Sequence, residues 1–249
     1  MKHIYAFEEI REYEKHQDVI QRFSERLDEY QLLLEEEYAL VDKPKGVVWT
    51  SAEAATSIFS DLPIPAFTNK DTIYITPDVK AWRKLFMQQL DGKDLPHIQR
   101  FYEQLSENHI LTILGHELTH HSDLFLDEFE DEREDSIWFE EGMCEYLPRK
   151  LLLTDREFNE ISTIEKELVD VFTREYGNRS LDEFGSNSYT ASLSSIMFDY
   201  WRSFLAIKYL VENRFHNNVN LVFEEYHKWD SEGRKVSLTE YFKLEKTSL

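Results

Sequence analysis

Apolar residues recur at three- and four-residue steps through the first forty residues of the chain, which are otherwise highly charged. This period places the apolar residues on one face of an α-helix and the charged residues on its other faces. The pattern predicts a long amphipathic helix from Glu8 to about Leu40, with at most one interruption. The apolar face of this helix is predicted to contain Ile10, Tyr13, Val19 or Ile20, Phe23, Leu27, Tyr30 and Leu34.

The pattern then changes to two runs rich in β-branched and aromatic residues. Residues 45–51 (KGVVWTS) and 71–76 (DTIYIT) are bounded by Gly, Pro or Asn and are typical of strands. Between them, residues 61–70 (DLPIPAFTNK) contain Pro63 and Pro65, which cannot donate hydrogen bonds within a central strand. This segment is therefore predicted to be a loop or an edge strand.

Helical periodicity returns after the second strand. Pro77 ends that strand, and Asp78 is placed to cap a helix that runs through Trp82. A further helix is predicted to begin near Leu95 or Pro96, because proline is favoured at the first helical position.

The next helix leads into residues 115–121 (GHELTHH), with Asn108 as its cap or as the turn before it. Acidic residues 127–135 (DEFEDERED) are too charged for a core and predict a solvated loop or helix end. From Ile137 the pattern is helical almost to the end of the chain.

Length and composition fit a globular protein that combines these elements. The 249 residues can bury a substantial core, and 41% of them are hydrophobic. The order of strands and helices predicts an α+β fold. We expect one compact domain at residues 45–249, preceded by an N-terminal helical extension at residues 1–44.

The charge of the chain bears on its partners. Its 49 acidic and 28 basic residues give a formal net charge of -21, which would repel phosphate backbones and anionic membrane surfaces. No run approaches the length of about 18 apolar residues that spans a bilayer, and the N-terminal residues do not resemble a secretory signal. The sequence therefore predicts a soluble, cytoplasmic protein without nucleic-acid or membrane partners.

Residues 115–121 contain two histidines four positions apart. On a helix, His116 and His120 lie on the same face and can offer both imidazoles to one metal ion. Glu117 is turned about 100° from His116, where it can reach a water molecule on that metal. This is the arrangement of the H-E-x-x-H zinc site. His121 is turned away from His120, and we expect it to be exposed or at the rim of a pocket.

Two imidazoles leave a catalytic zinc site short of one protein ligand. A single cysteine, Cys144, excludes a cysteine-based zinc finger, and the carboxylates of residues 138–146 (WFEEGMCEY) offer a third ligand. Glu141 is predicted to be that ligand, with the adjacent Glu140 as the alternative. Glu145, one helical turn later, can accept the free N–H of a ligand histidine.

Two glycines flank these predicted ligands. Gly115 directly precedes His116, and Gly142 directly follows Glu141. Glycine costs about 1 kcal/mol relative to alanine in a helix interior, so both positions suggest a packing requirement. We expect each glycine to let the two motif-bearing helices approach each other closely.

These two motifs together resemble the gluzincins, the zinc metallopeptidases with H-E-x-x-H and a glutamate ligand. The second motif of that family, W-x-x-E-G-x-A-E-Y, is matched by Trp138, Glu141, Gly142, Glu145 and Tyr146. The chain departs from it at Cys144, where the family usually has alanine. We expect this thiol to be a small buried hydrophobe, with competition for the metal as the alternative. The resemblance covers about residues 45–249 and implies a thermolysin-like fold. In that fold a small β-sheet packs on the H-E-x-x-H helix, and a mostly helical C-terminal half follows.

The resemblance also implies an activity and a further site residue. It implies a Zn²⁺-dependent hydrolase of peptide or protein substrates, with Glu117 as general base. A tyrosine in the helical half of the family stabilises the transition-state oxyanion, a role that Tyr189 would take here, with Tyr200 as its competitor. The family's G-x-M-E-N segment, which holds a free substrate amine, is absent, so an endopeptidase is favoured over an aminopeptidase.

Two other functions remain open at this point. The chain could be a non-catalytic zinc-binding scaffold that recognises a partner through its acidic surface or its N-terminal helix, although a purely structural site needs no Glu117. It could also be an all-helical interaction protein in which the histidine motif is a coincidence. The second alternative predicts that no zinc is bound. The sequence makes no prediction of the oligomeric state.

Overall fold

The computed structural model describes residues 1–127, 129 and 135–244 of the chain. It divides into two compact units, of which the first comprises Met1–Asp123 and Leu147–Leu153. The second comprises Leu124–Tyr146 and Thr154–Leu249. The mixed α+β class predicted from the sequence is confirmed. Most of the acidic segment predicted to be a solvated loop or helix end lies outside the described residues.

A four-stranded sheet belongs to the first unit. Its spatial order is β1-β2-β4-β3, in which β1 and β2 are parallel, β2 and β4 are parallel, and β3 is antiparallel to β4. The strands are β1 (Lys2–Ala6), β2 (Gly46–Thr50), β3 (Ala66–Thr68) and β4 (Thr72–Ile75). Strands β2 and β4 confirm the two predicted strands, and the proline-containing segment supplies the edge strand β3.

Strand β1 was not predicted. It is the other edge of the sheet, and its side chains Ile4 and Tyr5 are about half exposed. An edge strand has no second neighbour and no strict alternation of buried and exposed positions, so its hydrophobic pattern is weak.

Five helices of the first unit precede the second motif. They are α1 (Ile10–Glu37), α2 (Ala52–Ser57), α3 (Val79–Gln88), α4 (Pro96–Glu103) and α5 (Glu107–Thr119). The first confirms the predicted long amphipathic helix and has no interruption. The Asp78 side chain accepts a hydrogen bond from the Lys80 N–H, which confirms the predicted cap of α3. The N-cap of α5 is Ser106, so the placement of that boundary at Asn108 was two residues late.

Helix α1 supports α5 within the first unit. Arg22 forms a bidentate ion pair with Glu107 in the first turn of α5, with both N···O distances at 2.8 Å. Near the other end of α5, the Tyr30 hydroxyl lies 2.8 Å from Thr119 Oγ1. The buried face of α1 consists of Ile20, Phe23, Leu27, Tyr30 and Leu34, at the predicted helical spacing, whereas the predicted Ile10 is exposed.

The second unit is mostly helical, as predicted for the chain beyond Ile137. Its elements are the first part of α6 (Ile137–Leu152), α7 (Asp155–Tyr176), α8 (Leu193–Tyr209), α9 (Val219–Ser231) and α10 (Leu238–Tyr241), with short 3-10 turns at Leu181–Glu183 and Ser186–Thr190. The buried Phe139 ring stacks on Tyr226 at a centroid distance of 4.1 Å. No helix within the described residues is long and apolar enough to cross a membrane.

Candidate metal centre

Helix α5 brings two histidine rings together within the first unit. His116 Nε2 and His120 Nε2 are 3.0 Å apart, and the ring centroids are 4.8 Å apart. In a tetrahedral zinc site with Zn–N bonds of about 2.0–2.1 Å, two ligand nitrogens lie about 3.3 Å from each other. The observed separation is therefore close to that of two nitrogens directed at one ion.

Close helix packing fixes the start of this motif. A Cβ atom on Gly115 would lie 2.7 Å from Pro148 Cβ, in the last part of α6 that belongs to the first unit. The Gly115 carbonyl also accepts a hydrogen bond of 2.7 Å from the Thr119 hydroxyl. The expectation that Gly115 permits a close approach between the motif-bearing helices is confirmed.

Glu117 is buried with its neighbours on α5. Its exposed fraction is 7%, equal to that of His116. Carboxylates are seldom this deeply buried unless they are paired or take part in function. The burial is compatible with the predicted role of Glu117, which stays a prediction.

The surroundings of His121 differ from those expected. The residue is buried, and its Nε2 lies 2.8 Å from Thr68 Oγ1 on the edge strand β3. Burial, assisted by the neighbouring His120, lowers the pKa of His121 to about 3. The expectation of an exposed or pocket-rimming residue was wrong, because this side chain ties the end of α5 to the sheet.

Glu141 lies on α6 in the second unit, with 7% of its surface exposed. Its Oε1 accepts a hydrogen bond of 2.8 Å from the Tyr189 hydroxyl, which comes from the turn Ser186–Thr190. The Tyr200 hydroxyl on α8 is 3.1 Å from that of Tyr189. Burial and the nearby Glu141 carboxylate raise the pKa of Tyr189 well above its usual value, so this phenol stays protonated and can donate.

Three of the predicted residues form a group with metal-ligating chemistry. One ligand atom from each of His116, His120 and Glu141 lies within 4.8 Å of the other two. Among the described residues, neither Glu140 nor Cys144 belongs to a group of this kind, although both are buried. The donor set is two imidazoles and one carboxylate, which is the set found in catalytic zinc sites such as that of thermolysin.

Gly142 lies against α8, a packing partner that the sequence did not predict. A Cβ atom there would lie 2.5 Å from the Ser203 carbonyl oxygen and 2.7 Å from Ile207 Cγ1, both on α8. The expectation that Gly142 serves the approach of the two motif-bearing helices stays a prediction. Its missing side chain lets α6 pack against the backbone of α8, the helix that carries Tyr200.

The second motif is held in place by further contacts of the second unit. Trp138 is fully buried, and its Nε1–H donates to Asp182 Oδ1 at 3.2 Å. Glu145 is half-buried on α6, one turn after Glu141. The predicted hydrogen bond from a ligand histidine to Glu145 stays a prediction.

Sequence reasoning missed how the tyrosines are used. It proposed Tyr189 and Tyr200 as competitors for one role, whereas the Tyr189 hydroxyl contacts both Glu141 and the Tyr200 hydroxyl. Tyr189 is 48 residues from Glu141 in the chain. No local spacing signals a contact over that distance.

Comparison with known proteins adds no relative to this description. No family model, no curated protein and no solved structure matches the chain.

Proposed function

We propose that the chain is a zinc-dependent metallopeptidase whose metal ligands are His116, His120 and Glu141. The observation that carries this proposal is the grouping of these three ligand atoms, above all the 3.0 Å separation of the two imidazole nitrogens. The donor set fits zinc, which takes imidazole nitrogen and carboxylate oxygen at about 2.0–2.2 Å and keeps a position open for chemistry.

Glu117 is the general base in this proposal. A bound zinc ion would supply a Lewis acid that polarises the scissile carbonyl group and acidifies water. The Glu117 carboxylate takes a proton from the attacking water and then delivers it to the nitrogen of the leaving amine. Its position next to His116 on a buried helical face supports this role, because the surrounding protein restricts access of bulk water.

The substrate class follows from the resemblance to gluzincins, which favours peptide or protein substrates and internal bonds. That resemblance also gives the Tyr189 hydroxyl a part in stabilising the oxyanion. A phenol has one proton to donate, and in this structure the hydroxyl donates to Glu141 Oε1. A role at the oxyanion therefore requires the hydroxyl to turn away from Glu141.

The alternative is a zinc-binding scaffold without useful turnover. The buried Glu117 beside His116 favours catalysis, because a site kept for structure alone has no use for a base. Both functions predict a bound metal, so a variant that keeps the ligands and removes the base distinguishes them.

The first test is elemental analysis of protein purified without chelators. We expect about one zinc per chain, because three protein ligands are sufficient for a catalytic site. Absence of zinc, together with no uptake on titration with zinc, would contradict both the peptidase and the scaffold.

The second test uses Glu117→Gln and a library of peptides whose cleavage is read by mass spectrometry. The variant should keep its zinc and lose about 10²- to 10⁴-fold in cleavage rate, since an amide cannot accept the proton. Cleavage at the wild-type rate by Glu117→Gln would contradict the proposed base. A zinc-loaded wild-type protein that cleaves none of the peptides would support the scaffold.

A further inference from the structure

Three oxygen atoms of the second unit form a chain of hydrogen bonds. The Tyr189 hydroxyl is 2.8 Å from Glu141 Oε1 and 3.1 Å from the Tyr200 hydroxyl. The fully buried Phe184 ring lies beside both tyrosine rings, with centroid distances of 5.8 Å to Tyr189 and 5.4 Å to Tyr200. Hydrogen bonds in such an apolar environment are electrostatically stronger than in water.

The direction of these hydrogen bonds follows from the donors that are available. An ionised carboxylate can only accept, so Tyr189 must donate its single proton to Glu141. The oxygen of Tyr189 then accepts from the Tyr200 hydroxyl. Both donors point toward Glu141, and each bond polarises the next in the direction of the carboxylate.

We propose that Tyr189 is a positioning residue that fixes the carboxylate of Glu141 for metal binding, with Tyr200 reinforcing it. This inference rests on the proposed function, because it takes Glu141 to be a ligand. A glutamate side chain has several rotatable bonds, and its ordering costs free energy when the metal binds. A hydrogen bond at Oε1 orders the carboxylate beforehand and is compatible with coordination through Oε2.

The expected effect of removing such a partner is known in magnitude. Loss of a hydrogen-bonding partner of a metal ligand typically weakens metal affinity by about 10- to 100-fold. The oxyanion role makes a different prediction. A donor used only in the transition state lowers turnover by about 10²- to 10³-fold and leaves metal affinity unchanged.

The chain offers a matched control for this experiment. The Tyr241 hydroxyl also donates to a carboxylate, Glu225 Oε2, at 2.8 Å within the second unit. Tyr241→Phe therefore removes the same chemical contact from a carboxylate outside the proposed ligand set. It reports the general effect of losing a tyrosine–glutamate hydrogen bond.

The test compares Tyr189→Phe, Tyr200→Phe and Tyr241→Phe in the full-length chain, stripped of metal by dialysis against a chelator. Zinc affinity is measured by competition with a chromophoric chelator, and the visible absorption spectrum is recorded after saturation with cobalt(II). We expect about 10- to 100-fold weaker zinc binding for Tyr189→Phe, a smaller loss for Tyr200→Phe and none for Tyr241→Phe. The cobalt spectrum should change in Tyr189→Phe and stay unchanged in the control.

Wild-type zinc affinity and a wild-type cobalt spectrum in Tyr189→Phe would overturn the positioning role. The proposed function would stand in that case, and a fall in turnover alone would assign Tyr189 to the oxyanion. A wild-type chain that binds neither zinc nor cobalt would instead overturn the proposed function and this inference with it. Should Tyr189→Phe fail to fold, as judged by circular dichroism, Tyr200→Phe decides. Weaker zinc binding in Tyr200→Phe supports the proposed positioning of Glu141 by the two tyrosines, and unchanged zinc binding overturns it.

Discussion

The two halves of the candidate site are built differently. His116 and His120 are four residues apart on one helix, and the helical period alone brings their rings together. Glu141 and Tyr189 are 48 residues apart, and their contact requires α6, the turn Ser186–Thr190 and α8 to be packed in the second unit. The first pair survives wherever the helix forms, whereas the second pair depends on correct packing of several elements.

The largest effect should come from the local pair. His120→Ala removes one of three proposed ligands, so we expect zinc content to fall from about one per chain to less than about one tenth. His97→Ala, at an exposed position of α4, serves as the control and should keep full zinc content. Full zinc content in both variants, measured by elemental analysis, would remove His120 from the ligand set.

The distant pair should be sensitive to the packing of α6 on α8. Gly142→Ala places a methyl group against the Ser203 carbonyl oxygen, a backbone atom that cannot move alone. We expect the free energy of unfolding to fall by about 2 kcal/mol, even after the higher helix propensity of alanine is included. Urea denaturation measures this change.

Gly185→Ala provides the matched control in the same unit. Its nearest atom to an added Cβ is 4.0 Å away, and its backbone is extended, so the substitution should change stability little. An equal loss in both glycine variants would show that chain flexibility, and not the contact with α8, explains the effect at Gly142.

Glu145 tests whether the second motif also supports a histidine ligand. Glu145→Ala should weaken zinc binding by about 10- to 100-fold, because a carboxylate that accepts a histidine N–H fixes the ring and raises its basicity. Glu160→Ala, at an exposed position of α7, is the control. Equal zinc affinities of Glu145→Ala and Glu160→Ala, measured by chelator competition, would show that Glu145 does not support a histidine ligand.

A smaller effect is expected from the support of α5 by α1. Thr119 donates its hydroxyl proton to the Gly115 carbonyl, so Tyr30 donates to Thr119 Oγ1. Tyr30→Phe should lower the free energy of unfolding by about 1 kcal/mol, the usual net value of one hydrogen bond. Tyr13→Phe, at a half-buried position of the same helix, is the comparison in urea denaturation. An equal loss of unfolding free energy in the two variants would show that the Tyr30–Thr119 hydrogen bond makes no specific contribution to stability.

The smallest effect is a dependence of stability on pH that arises at β1. His3 Nδ1 accepts a hydrogen bond of 3.0 Å from Trp49 Nε1, which requires a neutral ring at that nitrogen. Burial and the positive N-terminus lower the pKa of His3, and Asp28 opposes them in part. The unfolded chain therefore binds a proton that the folded chain resists, and stability falls as pH drops through about 6.5.

His3→Asn isolates this contribution, because an amide oxygen can accept the same bond and does not titrate. The difference in unfolding free energy between wild type and variant should change between pH 7.5 and 5.5, with the wild type losing more at the lower pH. Parallel pH profiles would show that His3 does not titrate differently in the two states.

The difference between local and distant contacts explains which features of the fold and of the candidate site could be predicted from the sequence. Periodicity was sufficient for α1, and the spacing of histidines for the local pair. Periodicity and spacing did not predict the burial of His121, which depends on a distant strand, or the packing of Gly142 against α8. Contacts between segments far apart in sequence leave no periodic pattern, because they arise from tertiary packing. The tyrosine chain beside Glu141 is of this kind.

The first unit is formed by two segments that are separate in the sequence, and this affects how it folds during protein synthesis. Its second segment, Leu147–Leu153, ends thirty residues after Asp123, and a ribosome adds these residues in about 1.5–6 s at about 5–20 residues per second. Until then, Gly115 has no Pro148 to pack against, and Arg26 cannot donate to the Leu152 carbonyl. For those seconds the nascent chain presents an unfinished apolar surface, and the packing around the helix with the two histidines is completed only after the second motif has been translated.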